Sequence, residues 1–507
     1  MSTDVTTDVD RPVTFSGLQQ PKAPGLHKLS AGATVFLLLS IVVFMALLVL
    51  NFWIALGWAI VTLVLLAPAA IPTRDGYGRY AKGFRRLGFN AGERSGRNTL
   101  VQGLTGNVPD GQCRLPGLGA AATLHSCVDS HHRPFGLIEW GRNIYSVVIQ
   151  CFPEGFGNQE KRDNDAAVAQ WGAYLAALNR YSEIVGASVT VEASPDSGKR
   201  LNRAVLRGRV DEAESNEFSR TVTDQIRQQY SVGSPKVSAW VTLTFSGRAD
   251  KDEDGATNRT CEEMIDLISG MLPGLTGDLG ATGAGSGARP STTQQIIDST
   301  RVAYDPSVAE LVEEAQLGDG TGLTWDQVGP THAVNAYDYY EHEGYVSRTW
   351  QMREAPSGVF YAETLKRLLE PHHDVPRKRI TLLYRPETPQ ASRVAAERGV
   401  KSAGIMATQS RRAAATARVK LRDAERTAEQ EALGSPLVRV GLVATVTAPD
   451  AASLARASRV LRGSLSSGAR INLRLPKAAQ DMAFLTALPL GIVPPVQLRN
   501  PYKAPGE

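Results

Sequence analysis

The sequence predicts an α+β protein: an N-terminal two-helix transmembrane hairpin followed by two ferredoxin-like or related α+β units with helical insertions. Three observations predict it. Leu29 to Thr73 is a run of 45 residues with no charged side chain. Beyond it, period-two alternation of apolar and polar residues marks strands in both halves of the chain. Between those strands, apolar residues recur at helical spacing.

A bilayer core of ~30 Å takes ~20 helical residues, so the apolar run is too long for one span and suits two with a tight turn. The turn is expected near Leu50-Asn51-Phe52-Trp53, where Asn51 interrupts the apolar run. Helices are expected because only they satisfy their own backbone polar groups without water. Trp53 and Trp58 are rings suited to the headgroup level. Lys22 and Lys28 precede the run, and Arg74, Arg79, Lys82, Arg85 and Arg86 follow it. Basic flanks on both sides place both termini and the large soluble part on the cytoplasmic side of the cell membrane, as a two-span protein in a lipid bilayer. A cleaved signal peptide fits less well, because secretory apolar regions are only ~7–15 residues long.

The bulk composition fits a cytoplasmic body. Of the 507 residues, 55 are Lys or Arg and 51 Asp or Glu, a net charge of +4 that leaves no general nucleic-acid footprint. Cys113, Cys127, Cys151 and Cys261 stand at spacings of 14, 24 and 110, with no CxxC pair, as expected of reduced thiols. Five segments follow from these patterns: a flexible tail (1–28), the hairpin (29–73), a first α+β unit with a β-rich start (74–250), a mostly helical insertion with a Gly-rich linker (251–340), and a second α+β unit (341–507).

In the first unit, Pro134 to Trp140, a Gly141-Arg142-Asn143 turn and Ile144 to Cys151 read as a hairpin. Ala167, Trp171, Tyr174 and Leu178 form the core stripe of a helix from Asn164 to Tyr181. Ala187, Val189 and Val191 alternate with Ser188, Thr190 and Glu192; Val237 to Phe245 alternates in the same way against Ser238, Thr242 and Thr244. An antiparallel-type sheet with helices on one face is expected. A helix from Thr260 to Leu272 follows, and helical structure is expected on to Tyr340.

The second unit has strands at Tyr345 to Met352, Ile380 to Tyr384 and Val438 to Val446. Pro449-Asp450 caps a helix that buries Leu454, Ala457, Leu461 and Leu465 and leaves Arg456, Arg459 and Arg462 in water. Ile471, Leu473 and Leu475 share one face of a last strand. Within this unit, the Ala- and Arg-rich stretch 389–432 reads as an inserted helical segment. Its basic residues Arg393, Arg398, Lys401, Arg411, Arg412, Arg418 and Lys420 form a candidate partner-contact surface. The plainer reading is a solvated helical hairpin. Spacing leaves open whether the segment meets lipid, protein or DNA.

Motifs for chemistry are scarce. No GxxxxGK[ST] phosphate loop occurs; Gly198-Lys199 lacks the upstream glycine. The glycines from Gly280 to Gly287 fit a loop that ends in a helix cap. Cys113, His125, Cys127, His131 and His132 lie close in sequence, but at no standard zinc spacing. Tyr337 to Glu343 gathers aromatics and acids, for which packing is the simpler account, and His372-His373-Asp374 has no GxSxG nucleophile to serve. No catalytic residue, metal or cofactor is assigned.

Several segments, in order, carry a resemblance: Arg114 to Leu118, Ala187 to Glu192, Gly283 to Pro290, Thr349 to Pro356, Lys378 to Pro386 and Phe484 to Gly491. Through them the chain resembles an actinobacterial family of double-span membrane proteins encoded in conjugative elements beside a small PrgI-like membrane protein and a transfer ATPase. Its ending, Ala483 to Gly491, resembles the close of the N-terminal region of type IV secretion ATPases, just before their motor domain. The resemblance implies a structural, non-enzymatic subunit of a type IV-like transfer complex. Its implied partners are a transfer ATPase acting in trans, a small PrgI-like protein and further subunits in a higher-order oligomer. A type VII secretion membrane component and a membrane-tethered enzyme are the alternatives.

Overall fold

The computed structural model describes residues 31–70, 78–104, 106, 111–153, 155, 160–199, 203–205, 216–230, 235–249, 257–318, 320–354, 362–387, 389–409, 414–432 and 438–497. The tail expected over 1–28 lies outside these residues.

Helix α1 (Ala31–Leu50) and helix α2 (Phe52–Ala70) fold back on each other at Asn51. The turn falls where the polar residue predicts it: Asn51 Oδ1 accepts from the Trp53 amide at 2.9 Å and starts the second helix. Among the described residues, no helix is long and apolar enough to cross a membrane. Over its full backbone, α1 has 20 residues and α2 has 19, none of them charged. At 1.5 Å per residue each is roughly 30 Å long. Helix α3 (Arg79–Arg94) leads from the hairpin to the body.

The body is α+β, built on one antiparallel sheet of 13 strands with many helices. After β1 (Thr99–Val101) the chain forms β2 (Thr123–Val128), β3 (Pro134–Glu139), β4 (Ile144–Cys151), α4 (Lys161–Leu178), β5 (Ile184–Pro195), α5 (Glu217–Tyr230), β6 (Pro235–Ser246), α6 (Cys261–Gly277), β7 (Arg289–Pro290), α7 (Thr293–Tyr304) and α8 (Ala309–Gln316). It continues through β8 (His332–Asn335), β9 (Tyr340–His342), β10 (Tyr345–Glu354), β11 (Arg377–Pro386), α9 (Pro389–Gln409), α10 (Ala414–Ala432), β12 (Val438–Ala448), α11 (Ala451–Val460), β13 (Asn472–Arg474) and α12 (Gln480–Ala487).

The sheet runs β1-β8-β9-β10-β12-β11-β5-β6-β4-β3-β2, with β7 beside β4 and β13 beside β10. Its two halves follow the same path. In each, a hairpin strand and a late short strand share one edge of a long strand: β3 and β7 on β4, β9 and β13 on β10. The other edge of that long strand takes β6 or β12, which in turn takes β5 or β11. The halves join where β5 pairs antiparallel with β11, from Ala187↔Tyr384 to Ala193↔Lys378. Thr190↔Thr381 is the middle pair of that register, so an approximate two-fold passes between these residues.

One face of the sheet packs on α4 and α6 in the first half, through Leu178, Met264, Ile268 and Leu272, and on α11 and the turn after it in the second, through Leu454, Ala457 and Leu461. The opposite face is also covered. Ile296, Ile297 and Tyr304 of α7, Phe484 and Leu485 of α12, and Leu488, Leu490 and Ile492 beyond it form its core. Helices therefore lie on both faces, a correction to the one-sided arrangement expected. Ser188, Thr190, Thr242 and Thr244, which alternation assigns to a solvated face, are buried. Thr381 Oγ1 donates to the Ala487 carbonyl at 2.7 Å, Thr242 to Pro489 at 3.1 Å and Thr244 to Gly491 at 2.7 Å. The 487–491 segment is thus pinned across the junction of the halves by every second carbonyl, while its leucines face the core.

Two further readings change. Residues 332–342, expected to be helical, form β8 and β9, joined by a turn at Ala336 to Tyr339. Within 251–340, α6, β7 and α7 belong to the first half, because β7 pairs with β4 and α6 packs into the same core as α4.

Candidate anchoring and docking surfaces

The helical hairpin is inside-out relative to the body. Val35, Leu39, Val42, Leu63 and Val64 point outward, and Val49 is 87% exposed, whereas Ser40 is 4% exposed between the helices. Ser40 and Thr62, each eleven residues from Asn51, meet with their hydroxyls 2.6 Å apart. Trp58 Nε1 donates to Ser40 Oγ at 3.1 Å, and Thr62 Oγ1 donates to the Trp58 carbonyl at 2.9 Å. Trp53 stands exposed at the turn, whereas Trp58 is nearly two turns into α2 and its ring nitrogen belongs to the helix-helix contact.

The basic flank is organised by α3, a helix that charge counting alone does not reveal. Arg79, Lys82, Arg85 and Arg86 all lie on it and are exposed; Arg74 lies outside the described residues. Tyr80, Phe84 and Leu87, at i, i+4 and i+7, form an apolar stripe with Phe84 73% and Leu87 67% exposed. The opposite side of α3 grips the body: the Phe89 ring meets Tyr337 edge-on at 5.4 Å, and the Arg86 guanidinium lies 4.4 Å over the same ring. Tyr80 Oη donates to the Leu65 carbonyl at 2.8 Å, tying α3 to α2. From Thr99 to Val101 the chain then adds to the sheet as β1, beside β8.

The inserted segment 389–432 is the pair α9 and α10, packed through Ser392, Ala396, Ala403 and Thr427. Arg393, Arg398 and Lys401 are exposed on α9, Arg418 is exposed on α10, Lys420 belongs to α10, and Arg411 and Arg412 lie outside the described residues. Arg422, Glu425, Arg426 and Glu429 continue the exposed face of α10 with interleaved signs. This arrangement is closer to a solvated hairpin than to a single-sign stripe.

A cleft of about 1220 Å³ opens beside α7 and α8, lined among others by Glu192, Lys236, Arg289, Asp298, Glu310 and Arg377. At its floor Glu192 bridges Arg377 Nη1 at 2.9 Å and Arg379 Nη2 at 2.6 Å. Burial pushes the Glu192 carboxyl up, but the Arg379 and Arg377 guanidiniums outweigh it and hold it below its ordinary range. Asp298 accepts from Gln294 at 3.0 Å, Gln316 at 3.0 Å and Thr321 at 2.5 Å; Lys236 lies 3.3 Å from Glu313. Glu192, Arg377, Asp298 and Lys236 of the cleft thus already have partners.

The remaining sequence candidates separate. Lys199 of the Gly-Lys pair is 2.8 Å from Glu314. In the glycine tract, Gly285 has φ +89° and a Cβ there would stand 2.1 Å from the Phe152 carbonyl oxygen, so the tract serves close approach to β4. Thr292 then caps α7 with Gln295 in a capping box, as the loop-and-cap reading predicts. In the aromatic-acid stretch, Tyr337 faces α3 and Asp338 pairs with Arg348 at 3.0 Å. His342 is fully buried, bonded to the Tyr304 carbonyl and to Ser347 Oγ at 2.8 Å, and burial holds its imidazole down at about 4. All four cysteines are free. The five-residue Cys and His set does not assemble: His131 and His132 sit in the β2–β3 turn, and Cys113 bonds through its amide to the Asp326 carbonyl at 2.7 Å. His125 instead meets Glu139 and Cys261.

No protein-family model matches this chain, and no curated protein is detectably similar to it.

Proposed function

We propose that this protein is a membrane-anchored structural subunit of a type IV-like conjugative transfer complex, which docks a separate transfer ATPase at the cytoplasmic face of the membrane. The observation that carries the anchoring is the inverted polarity of α1 and α2. Their apolar side chains face outward while Ser40, Thr62 and the Trp58 ring nitrogen pair with one another. In water that arrangement exposes the wrong surface; in lipid it is the stable one, since polar groups act as links between spans. Helix α3 fits an in-plane position under the hairpin, with Tyr80, Phe84 and Leu87 toward the acyl boundary and its arginines toward anionic headgroups.

Each half of the body reads as a ferredoxin-like unit with its fourth strand beside its first: β4, β5, β6 and β7, then β10, β11, β12 and β13, the first crossover of the second half carrying only the short helix Lys366–Leu369. The segment from Phe484 to Gly491, which carries the resemblance to the pre-motor region of secretion ATPases, lies across both units. A non-enzymatic role is supported by the cleft, where Glu192, Asp298 and Lys236 are engaged in ion pairs and hydrogen bonds rather than poised beside a nucleophile.

Two experiments test this reading. In intact cells, a membrane-impermeant maleimide is expected to label an N51C variant at the hairpin turn and to leave the wild-type cysteines unmodified; labelling of the native cysteines would reverse the proposed orientation. Affinity purification of the tagged chain from its host in mild detergent is expected to recover a transfer ATPase and a small PrgI-like protein. Recovery of type VII subunits would transfer the protein to that system, and recovery of the chain alone would overturn the docking role.

A further inference from the structure

On the first half of the body, three ligand-type atoms from three elements converge. His125 lies on β2, Glu139 on β3 and Cys261 at the first position of α6; their ligand atoms all fall within 4.8 Å of one another. His125 Nε2 is 2.9 Å from Glu139 Oε2 and 3.9 Å from Cys261 Sγ, and the Thr123 hydroxyl is 3.2 Å from the same nitrogen. The strand register brings His125, Glu139 and Thr123 together: Thr123 is opposite Glu139 and His125 opposite Leu137, so all four share one face. Cys261 comes down on that face from α6, whose Met264 and Ile268 anchor it in the core below. All three side chains are partly exposed, so a solvent ion can reach them.

We propose that His125, Glu139 and Cys261 form a binding site for a divalent transition metal, zinc first, with a fourth position left to water or to the Thr123 hydroxyl. Zinc takes nitrogen, carboxylate oxygen and thiolate at ~2.0–2.3 Å, so a tetrahedral site has N···O and N···S edges of about 3.3 and 3.6 Å. The observed separations of 2.9 and 3.9 Å differ from these by a few tenths of an ångström, a change that side-chain rotation supplies. The Thr123 hydroxyl also donates to Glu139 Oε2 at 3.3 Å, so imidazole, carboxylate, thiol and hydroxyl converge on one point. Glu262 and Glu263 in the first turn of α6 add negative charge near the site. Imidazole with thiolate favours zinc over the hard cations magnesium and calcium. The thiol gives up its proton when the metal binds. The ion would clasp the start of α6 to the β2–β3 hairpin, at the open edge of the sheet.

The test uses the full chain in detergent, stripped with a chelator and then titrated with Zn²⁺ alone, with metal content measured by elemental analysis after dialysis. One zinc per chain is expected, with affinity reduced at least tenfold in C261S and in E139Q. Co²⁺ in place of zinc is expected to give a thiolate-to-metal charge-transfer band in the wild type. That readout needs no variant and stands if C261S fails to fold. Sub-stoichiometric zinc, a cobalt complex without thiolate character, or binding that survives both substitutions and is lost in H373N would each overturn the proposal.

Discussion

The hydroxyls of Thr190 and Thr381 meet 3.1 Å apart, fully buried, at the midpoint of the only strand pairing that joins the two halves of the described sheet. They are not equivalent. Thr381 Oγ1 also donates to the Ala487 carbonyl, so it links the junction to the segment that crosses it. T381V leaves both Thr190 and that carbonyl short of a partner and is expected to cost about 1–3 kcal/mol, whereas T190V leaves Thr381 with its acceptor and costs less. The double variant should be little worse than T381V alone. Chemical denaturation of the four proteins in detergent checks this; additive losses would show that the two hydroxyls do not act together.

Beside that pair, Glu192 holds Arg377 and Arg379 in the interior. E192A removes the one carboxylate between two buried guanidiniums, and losing one partner of a buried ion pair costs roughly 3–5 kcal/mol. E192Q keeps the hydrogen-bonding shape and is expected to lose nearly as much, because the missing quantity is charge. Thermal unfolding followed by circular dichroism distinguishes the outcomes: near-wild-type stability of E192Q would mean that shape rather than charge matters here.

His342 gives the body a pH dependence of defined sign. Burial lowers its pKa from 6.5 to about 4, so the folded state keeps the imidazole neutral where the unfolded chain takes up a proton. Its stabilising contribution is present above pH 6.5 and is lost as pH falls from there toward 4, an effect of roughly 3 kcal/mol. H342N is expected to be less stable at neutral pH and to show a flatter stability profile between pH 6.5 and 4.5. An unchanged slope in that window would assign the acid sensitivity to other groups.

Gly285 admits no side chain. Its φ of +89° and the 2.1 Å approach to the Phe152 carbonyl oxygen mean that G285A has to open the contact between the loop before β7 and the end of β4. A loss of more than about 2 kcal/mol is expected. Hydrogen exchange should show it first at Phe152, whose amide bonds to the Ala284 carbonyl at 2.9 Å.

Much of this fold was legible in the sequence. The long strands β5, β6 and β12 alternate cleanly, β4 and β11 show as short apolar runs, and Asp450 caps α11 through the Ala452 and Ser453 amides as its position predicts. The hydroxyl face was not legible. Serine and threonine satisfy their bonds equally with water or with carbonyls, so alternation at Ser188, Thr190, Thr242 and Thr244 marks a polar face without saying what covers it. Helix α3 is hard to see in the sequence because its basic residues dominate the segment, and only three apolar side chains, Tyr80, Phe84 and Leu87, carry the helical spacing. Ala333, Tyr337 and Tyr340 imitate helical spacing across a β-hairpin. The junction of His125 and Glu139 with Cys261 spans more than a hundred residues, a distance over which spacing carries no information.

The pairing of β5 with β11 also limits how copies of this chain can associate. Its two halves meet through a self-complementary contact of the kind that two-fold dimers use between subunits, and here that contact lies within one polypeptide. The outermost strands of the described sheet are β1 at one end and β2 at the other, and they are unlike: one follows α3, the other belongs to the first hairpin. Any edge-to-edge association through both is therefore head-to-tail, and head-to-tail contacts either close into rings or propagate as filaments. Under the anchoring proposed above, every copy would be held the same way up, and closure into a ring is then the geometry that satisfies every edge.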